Sequence, residues 1–357
     1  MRILGFVGTA KNTGKTTTAL HILDLVSAAG IRTALTSIGY DGENKDHVTG
    51  LPKPRYFAQP GLIIATAQRC LEYGTAQYGD VRPTGLHTIL GEVVIATVSE
   101  PGTVVVAGPN RKPDIQRMLD RLRELGAELT MLDGALNRLA PMVLADGMVL
   151  STGAAFDERI PVIAAHAAAM ESLFQTSENG IALPVSKPAN LVGYANAAGW
   201  WEQLPLGSIL DPAAMETVAG WFLESGPGEC IIPGACEPGL FQQLIGRIQP
   251  VLRGSRFVFT SPVNLIASGS PLVWQECFAT LAHNNCETAY TTPTPLCFLT
   301  VNPFYPQYLQ KTGQYIPAFV DKTELLAATR AAVQCTPVVD ILQPPHPDLL
   351  GLCGMKT

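Results

Sequence analysis

An apolar run from Arg2 to Val7 passes without a break into the segment GTAKNTGKTTT, Gly8 to Thr18. A short apolar run closed by glycine reads as a buried strand. The residues from Lys15 to Ala29 read as a helix ended by Gly30, and Arg32 to Ile38 as the next strand. Strand, glycine loop, helix and strand make a βαβ unit, so the two strands are predicted to be parallel. A loop of this composition between strand and helix is a phosphate cradle. Gly14 lets the backbone approach an anion closely, and the first amides of the helix point at it with the helix dipole behind them. Lys15 adds a point charge for the β and γ phosphates, and the Thr16 hydroxyl is placed for magnesium. The reading is therefore a nucleoside triphosphate, ATP, with Mg2+, held by Gly8, Thr9, Lys11, Asn12, Thr13, Gly14, Lys15, Thr16 and Thr17. The alternative is a tight βα turn that ends in an ordinary surface lysine.

The spacing departs from GxxxxGK[ST]. Five residues separate Gly8 from Gly14, and Thr9 takes the usual glycine place. In this the loop resembles dethiobiotin synthetase and its relatives among the phosphate-loop synthetases and ATPases. The resemblance implies one magnesium-binding acid after the second strand and another at the end of a later strand. Asp41, in SIGYDGE, and Asp133, in LDGALNR, stand at those places. Lys15, Asp41 and Asp133 are the expected catalytic groups, and Thr16, Asp41 and Asp133 the expected metal ligands. Helix capping or loop solvation is the competing role for the acids, and Glu43 and Asp46 lie close enough to rival Asp41. Lys53 and Arg55 either contact an anionic ligand or belong to a solvated loop, Arg138 either reaches the γ phosphate or pairs with a local carboxylate, and Lys11 either helps neutralise the triphosphate or projects into solvent, whereas His21 and His166 read as structural.

Composition sets the surroundings. Hydrophobic residues are 47% of the chain and charged ones 15%, which suits a well-buried sheet and argues against disorder. A net charge of −6, without a basic run, argues against a nucleic-acid partner. Ile3 to Val7 is too short for a signal core, and no run of about 20 apolar residues is present to span a bilayer. A cytoplasmic protein with no membrane contact is the expectation. None of the eight cysteines falls in a CxxC pair, so they read as small buried hydrophobes.

Further along, strands are predicted at Gly91 to Val98, Thr103 to Ala107, Glu128 to Leu132 and Gly147 to Ser151, with a turn at Pro101-Gly102. Ile63 to Tyr73 reads as a strand passing into a short helix. Helices are predicted at Lys112 to Leu125 and Phe156 to Phe174. Beyond Gln175 glycine and proline become frequent, with strands at 230–232, 256–260, 296–301 and 338–342 and helices between them. The expected fold is α/β: a phosphate-loop NTPase with a mostly parallel sheet over residues 1–175, then a second α/β half over 176–357 with a docking role for a partner.

Several ordered segments carry a second resemblance, spread over most of the chain: TSIGYDGE (36–43), KPR (53–55), IATA (64–67), LGEVVIATV (90–98), VAGPN (106–110), LDGALNR (132–138), STGAA (151–155), TVNP (300–303) and TPVVDI (336–341). They resemble the phosphate-loop reactivase subunit associated with lysine 5,6-aminomutase in bacteria that ferment amino acids. Asn137 departs from that pattern, where an acid is expected. The resemblance implies an ATP-dependent accessory factor whose partners are an adenosylcobalamin- and pyridoxal-phosphate-dependent aminomutase and a second reactivase subunit, with a homodimer as a further arrangement. The competing readings are a small-molecule ligase of the dethiobiotin synthetase type and a slow nucleotide switch for cofactor insertion. No NKxD-like guanine reader is present, which favours ATP over GTP.

Overall fold

The computed structural model describes residues 1–39, 55–134, 140–175 and 190–355. Asp41, Glu43, Asp46, Lys53, Asn137 and Arg138 lie outside them. The chain divides into two compact units. One comprises Met1–Ala167 with Leu296–Thr357, and the other Ala168–Pro295.

In the first unit the elements run β1 (Arg2–Gly8), α1 (Lys15–Ala28), β2 (Thr33–Ser37), β3 (Tyr56–Ala58), β4 (Ile63–Ala67), β5 (Gln77–Thr88), β6 (Gly91–Glu100) and β7 (Gly102–Val104). After these come α2 (Lys112–Glu124), β8 (Leu129–Asp133), β9 (Gly147–Gly153) and α3 (Ile160–Phe174), within which the first unit ends, at Ala167. β1, β2, β4, β8 and β9 are buried along almost their whole length, as strands covered on both faces must be, and this explains their unbroken apolar runs. α2 instead shows one apolar stripe. Ile115, Met118, Leu119 and Leu122 are buried at spacings of three and four, and Arg117 faces outward with Asp114 2.5 Å away.

The second unit contains β10 (Gly193–Asn196), β11 (Trp201–Gln203), α4 (Pro212–Ser225), β12 (Gly228–Ile232), α5 (Pro238–Ile248), β13 (Arg256–Phe259), α6 (Pro262–Ser268), α7 (Pro271–His283) and β14 (Glu287–Tyr290). Its sheet has the order β11-β10-β12-β13-β14. β12, β13 and β14 are parallel, and β10 is antiparallel to both neighbours. Phe222, Phe241, Phe257, Phe259 and Trp274 fill its core. Prolines here mark helix starts. Asp211, Glu237 and Ser261 each cap a helix whose first residue is proline, a position where the missing amide hydrogen costs nothing.

The chain then returns to the first unit with β15 (Leu296–Asn302), the antiparallel hairpin β16 (Phe304–Leu309) and β17 (Gln314–Phe319), α8 (Lys322–Ala332), β18 (Val338–Val339) and α9 (Leu349–Leu352). This differs from a division at 175/176. β15 pairs with β9, and β18 with β15, so these later strands complete the first sheet, and the second unit, Ala168–Pro295, is an insertion between β9 and β15. The apolar side chain of Phe298 explains the return, since it sits in the same core cluster as Leu4, Phe6 and Val149.

The first sheet has nine strands in the order β18-β15-β9-β1-β8-β2-β4-β6-β5. All are parallel from β18 to β4, whereas β6 is antiparallel to both β4 and β5. The expected α/β class with a mostly parallel sheet is present. β1 and β2 point the same way, with β8 between them. β1 is also where the topology reverses. The chain continues through α1 to strands on one side, while β9, β15 and β18 lie on the other. In open parallel sheets, ligand crevices form outside the carboxyl ends of the strands at such a point. β5 had no counterpart in the sequence reading. It is an edge strand broken by register shifts and containing Pro83, so its pattern has no clean period of two. Among the described residues no helix is long and apolar enough to cross a membrane.

Candidate functional site

The segment Gly8 to Thr18 leaves β1 at this reversal point. Two residues in it take the left-handed conformation, Asn12 at φ 66° and Gly14 at φ 92°. Gly14 is the N-cap of α1, and a side chain there would be strained as well as crowded. Between them Thr13 is buried and donates its hydroxyl hydrogen to the Ala10 carbonyl at 3.0 Å. Gly14 has no side chain with which to cap α1, and the first turn of the helix holds no acid. The first amides of a helix need an outside acceptor, and here the protein supplies none from the cap position. That end of α1 is therefore electrostatically suited to an anion.

Lys15 forms an ion pair with Asp133, through Nζ and Oδ1. The Lys15 side chain is 14% exposed and that of Asp133 5%, so the pair is largely removed from solvent. Asp133 ends β8, the strand beside β1, in register with Phe6. Its carbonyl accepts the Ile38 amide at 2.8 Å, which brings the chain leaving β2 to the same place. Asp41 follows three residues later, outside the described residues. The stretch before it is pinned by VAGPN: Ser37 donates to Gly39 O at 2.7 Å, and Gly108 and Pro109 bond Gly39. Thr16 and Thr17 are half-buried in the first turn of α1, and Lys11 is exposed on the loop.

Residues far along the chain complete the site, and sequence reading assigned them no role here. Thr9 donates to the Thr152 hydroxyl at 3.0 Å, and its amide to the Ser151 carbonyl at 2.9 Å. Thr18, Ser151 and Thr300 form a buried triangle of hydroxyls with edges of 3.0, 2.8 and 3.4 Å. Asn302, at the end of β15, donates Nδ2–H to the Asn12 carbonyl at 3.0 Å. An open pocket of about 50 Å3 lies beside the loop, lined by Gly14, Thr17, Asn302, Asp340 and Leu342 among others. Asp340 is buried, and its carboxylate accepts the Leu342 amide at 3.0 Å and the Gln343 amide group. Their common signal is position: they end, or directly follow, strands parallel to β1. STGAA, TVNP and TPVVDI thus converge on the loop.

The Thr16 hydroxyl, in the first turn of α1, and the Asp133 carboxylate, at the end of β8, are the hard oxygen groups among the expected ligands that the structure describes. Among the described residues no group of three or more His, Cys, Asp and Glu side chains could hold a metal alone. Of the histidines, His21 lies on α1 with its ring 5.2 Å from that of His346. Burial foremost, then His346, lowers its pKa from 6.5. His166 packs on Phe156 with ring centroids 4.1 Å apart, and burial pushes it down to about 4. Seven of the eight cysteines are buried, and Cys335 is exposed. No family model, curated protein or solved structure matches this chain.

Proposed function

We propose that the chain binds and hydrolyses Mg2+-ATP at the Gly8–Thr18 loop, and that it uses this cycle as an accessory factor that reactivates an adenosylcobalamin- and pyridoxal-phosphate-dependent aminomutase. The observation that carries the nucleotide reading is the open amino end of α1, with left-handed Gly14 at its cap and Lys15 beside it paired to Asp133. In this reading Lys15 neutralises the β and γ phosphates. Thr16 and Asp133 give oxygens to magnesium, with Asp41 as the further acid. The pocket beside Gly14 and Asn302 is far below the several hundred Å3 that ligand sites occupy. The nucleoside therefore binds over its open mouth, or it displaces Leu342, which is 74% exposed.

The client part of the proposal rests on the ordered segments that resemble the reactivase family. The convergence of three of them on the loop supports it. ATP drives exchange of a damaged cofactor in a client only if it favours a conformation that binds the inactivated client more tightly. Ile38, whose amide is held by the Asp133 carbonyl, gives that coupling a route from the site into the chain after β2.

The test has two arms. Calorimetry should show Mg2+-ATP binding that Lys15→Ala abolishes, and unchanged affinity in that variant sinks the nucleotide site. A lysine or ornithine aminomutase from the same organism, inactivated by turnover, should recover with this protein, any second subunit, ATP, Mg2+ and fresh adenosylcobalamin. Absence of recovery, together with ATP-dependent turnover of a small carboxylate, would transfer the assignment to a ligase.

A further inference from the structure

The phosphate loop is held by a residue 290 positions away. Asn302 touches it at Asn12 and Gly14 and is itself anchored by Ala154 and Phe304. Its Nδ2–H donates to the Asn12 carbonyl at 3.0 Å. Its side chain lies over Gly14, where an added Cβ would sit 3.3 Å from Asn302 Cβ and 3.4 Å from Nδ2. Its own carbonyl accepts the Ala154 amide at 2.9 Å, just past β9. Its Oδ1 accepts the Phe304 amide at 3.1 Å, which fixes the side chain's orientation. Asn12 is a left-handed residue other than glycine, a conformation that needs local support. With Gly14 also left-handed, the chain around Thr13 forms the kind of turn in which amides face one anion.

We infer that Asn302 is a positioning residue for phosphate: it holds the Asn12–Gly14 turn in its anion-binding shape before the ligand arrives. The inference rests on the nucleotide reading above and deepens it. Preorganisation of this kind acts on every ligand that places a polyphosphate in the loop, whatever its base. A residue that read the base would act on nucleotides alone.

The experiment compares wild type with Asn302→Ala and Asn302→Leu. Leucine keeps bulk over Gly14 and removes the donor. Dissociation constants are measured for Mg2+-ATP by calorimetry and for Mg2+-tripolyphosphate by competition, below the melting temperature of each variant. Both variants should weaken both ligands by the same factor, about five- to tenfold for one lost hydrogen bond. A loss confined to ATP overturns the inference, because Asn302 would then contact the nucleoside. Wild-type affinity in Asn302→Leu overturns it too, because bulk and not the donor would matter. A wild type that binds ATP but not tripolyphosphate also overturns it, since a preformed cradle needs no base. A wild type that binds neither ligand removes the nucleotide reading itself, an outcome distinct from all of these.

Discussion

Lys15 and Asp133, 118 residues apart, are ion-paired at the carboxyl edge of the sheet, at the point where β1 passes into α1. The pair is largely buried, so removal of one partner takes an opposite charge away from the other in a place poor in water. Such deletions cost about 3 kcal/mol or more. Lys15→Ala should therefore lower stability as well as nucleotide affinity, and so should Asp133→Ala. The double variant Lys15→Met/Asp133→Leu should be more stable than either single variant while still failing to bind Mg2+-ATP. Chemical denaturation of all four proteins checks the first statement and calorimetry the second. Additive stability losses would show that the two charges do not depend on each other.

Gly14 and Gly153 are both in the left-handed half of backbone space, on either side of Asn302. A Cβ on Gly14 would meet Asn302 Cβ at 3.3 Å, a contact that can relax, and one on Gly153 would meet the Asn302 carbonyl oxygen at 2.0 Å, which cannot. Gly14→Ala should cost about 1–2 kcal/mol from backbone strain and weaken phosphate binding. Gly153→Ala should cost more, because β9 and β15 must separate. Thermal melts of the two variants give the order, and a Gly153→Ala protein as stable as Gly14→Ala would contradict it.

The βαβ start was legible because it is local: one apolar strand, one glycine loop and one helix within the first 40 residues. Asp133 was legible as the polar end of an apolar strand. Thr300 and Asn302 were not, because their role depends on β15 pairing with β9 across an insertion, and no local pattern encodes that pairing. α4 was missed for a different reason. Asp211-Pro212 carries the cap and first-position proline that start a helix, but proline and glycine frequency there reads as loop. The second unit's boundary at Pro295 was hidden likewise, since alternating strands and helices look the same in either sheet.

Thr18, Ser151 and Thr300 are each no more than 2% exposed, and each satisfies the others. Thr300→Val preserves shape but leaves two buried hydroxyls short of a partner, at about 1–3 kcal/mol. In the triple variant Thr18→Val/Ser151→Ala/Thr300→Val no orphan remains, so its loss should be smaller than the sum of the three single losses. Denaturant midpoints measure this directly. A triple loss equal to that sum would mean that water already satisfies each hydroxyl on its own.

His166 gives a pH dependence with a definite sign. His166 is 9% exposed with its ring packed on Phe156, and Nδ1 has no partner among the described residues. Burial disfavours the charged form and lowers the folded pKa to about 4, against 6.5 for the free side chain. Above pH 6.5 both states are neutral and this contribution to stability is complete. Between 6.5 and about 4 the unfolded chain binds the proton that the folded chain refuses, so stability falls as pH falls. Below about 4 the folded state also takes the proton and the loss from this group levels off. The total comes to about 3 kcal/mol. His21, lowered in the same direction, adds to the slope. His166→Leu removes the titrating group and its unpaired nitrogen while keeping an apolar side chain against Phe156. Stability against denaturant should therefore decline less between pH 6.5 and 4 in the variant than in wild type. Parallel curves for the two proteins across that window would mean that His166 takes up its proton in the folded state as readily as in the unfolded one.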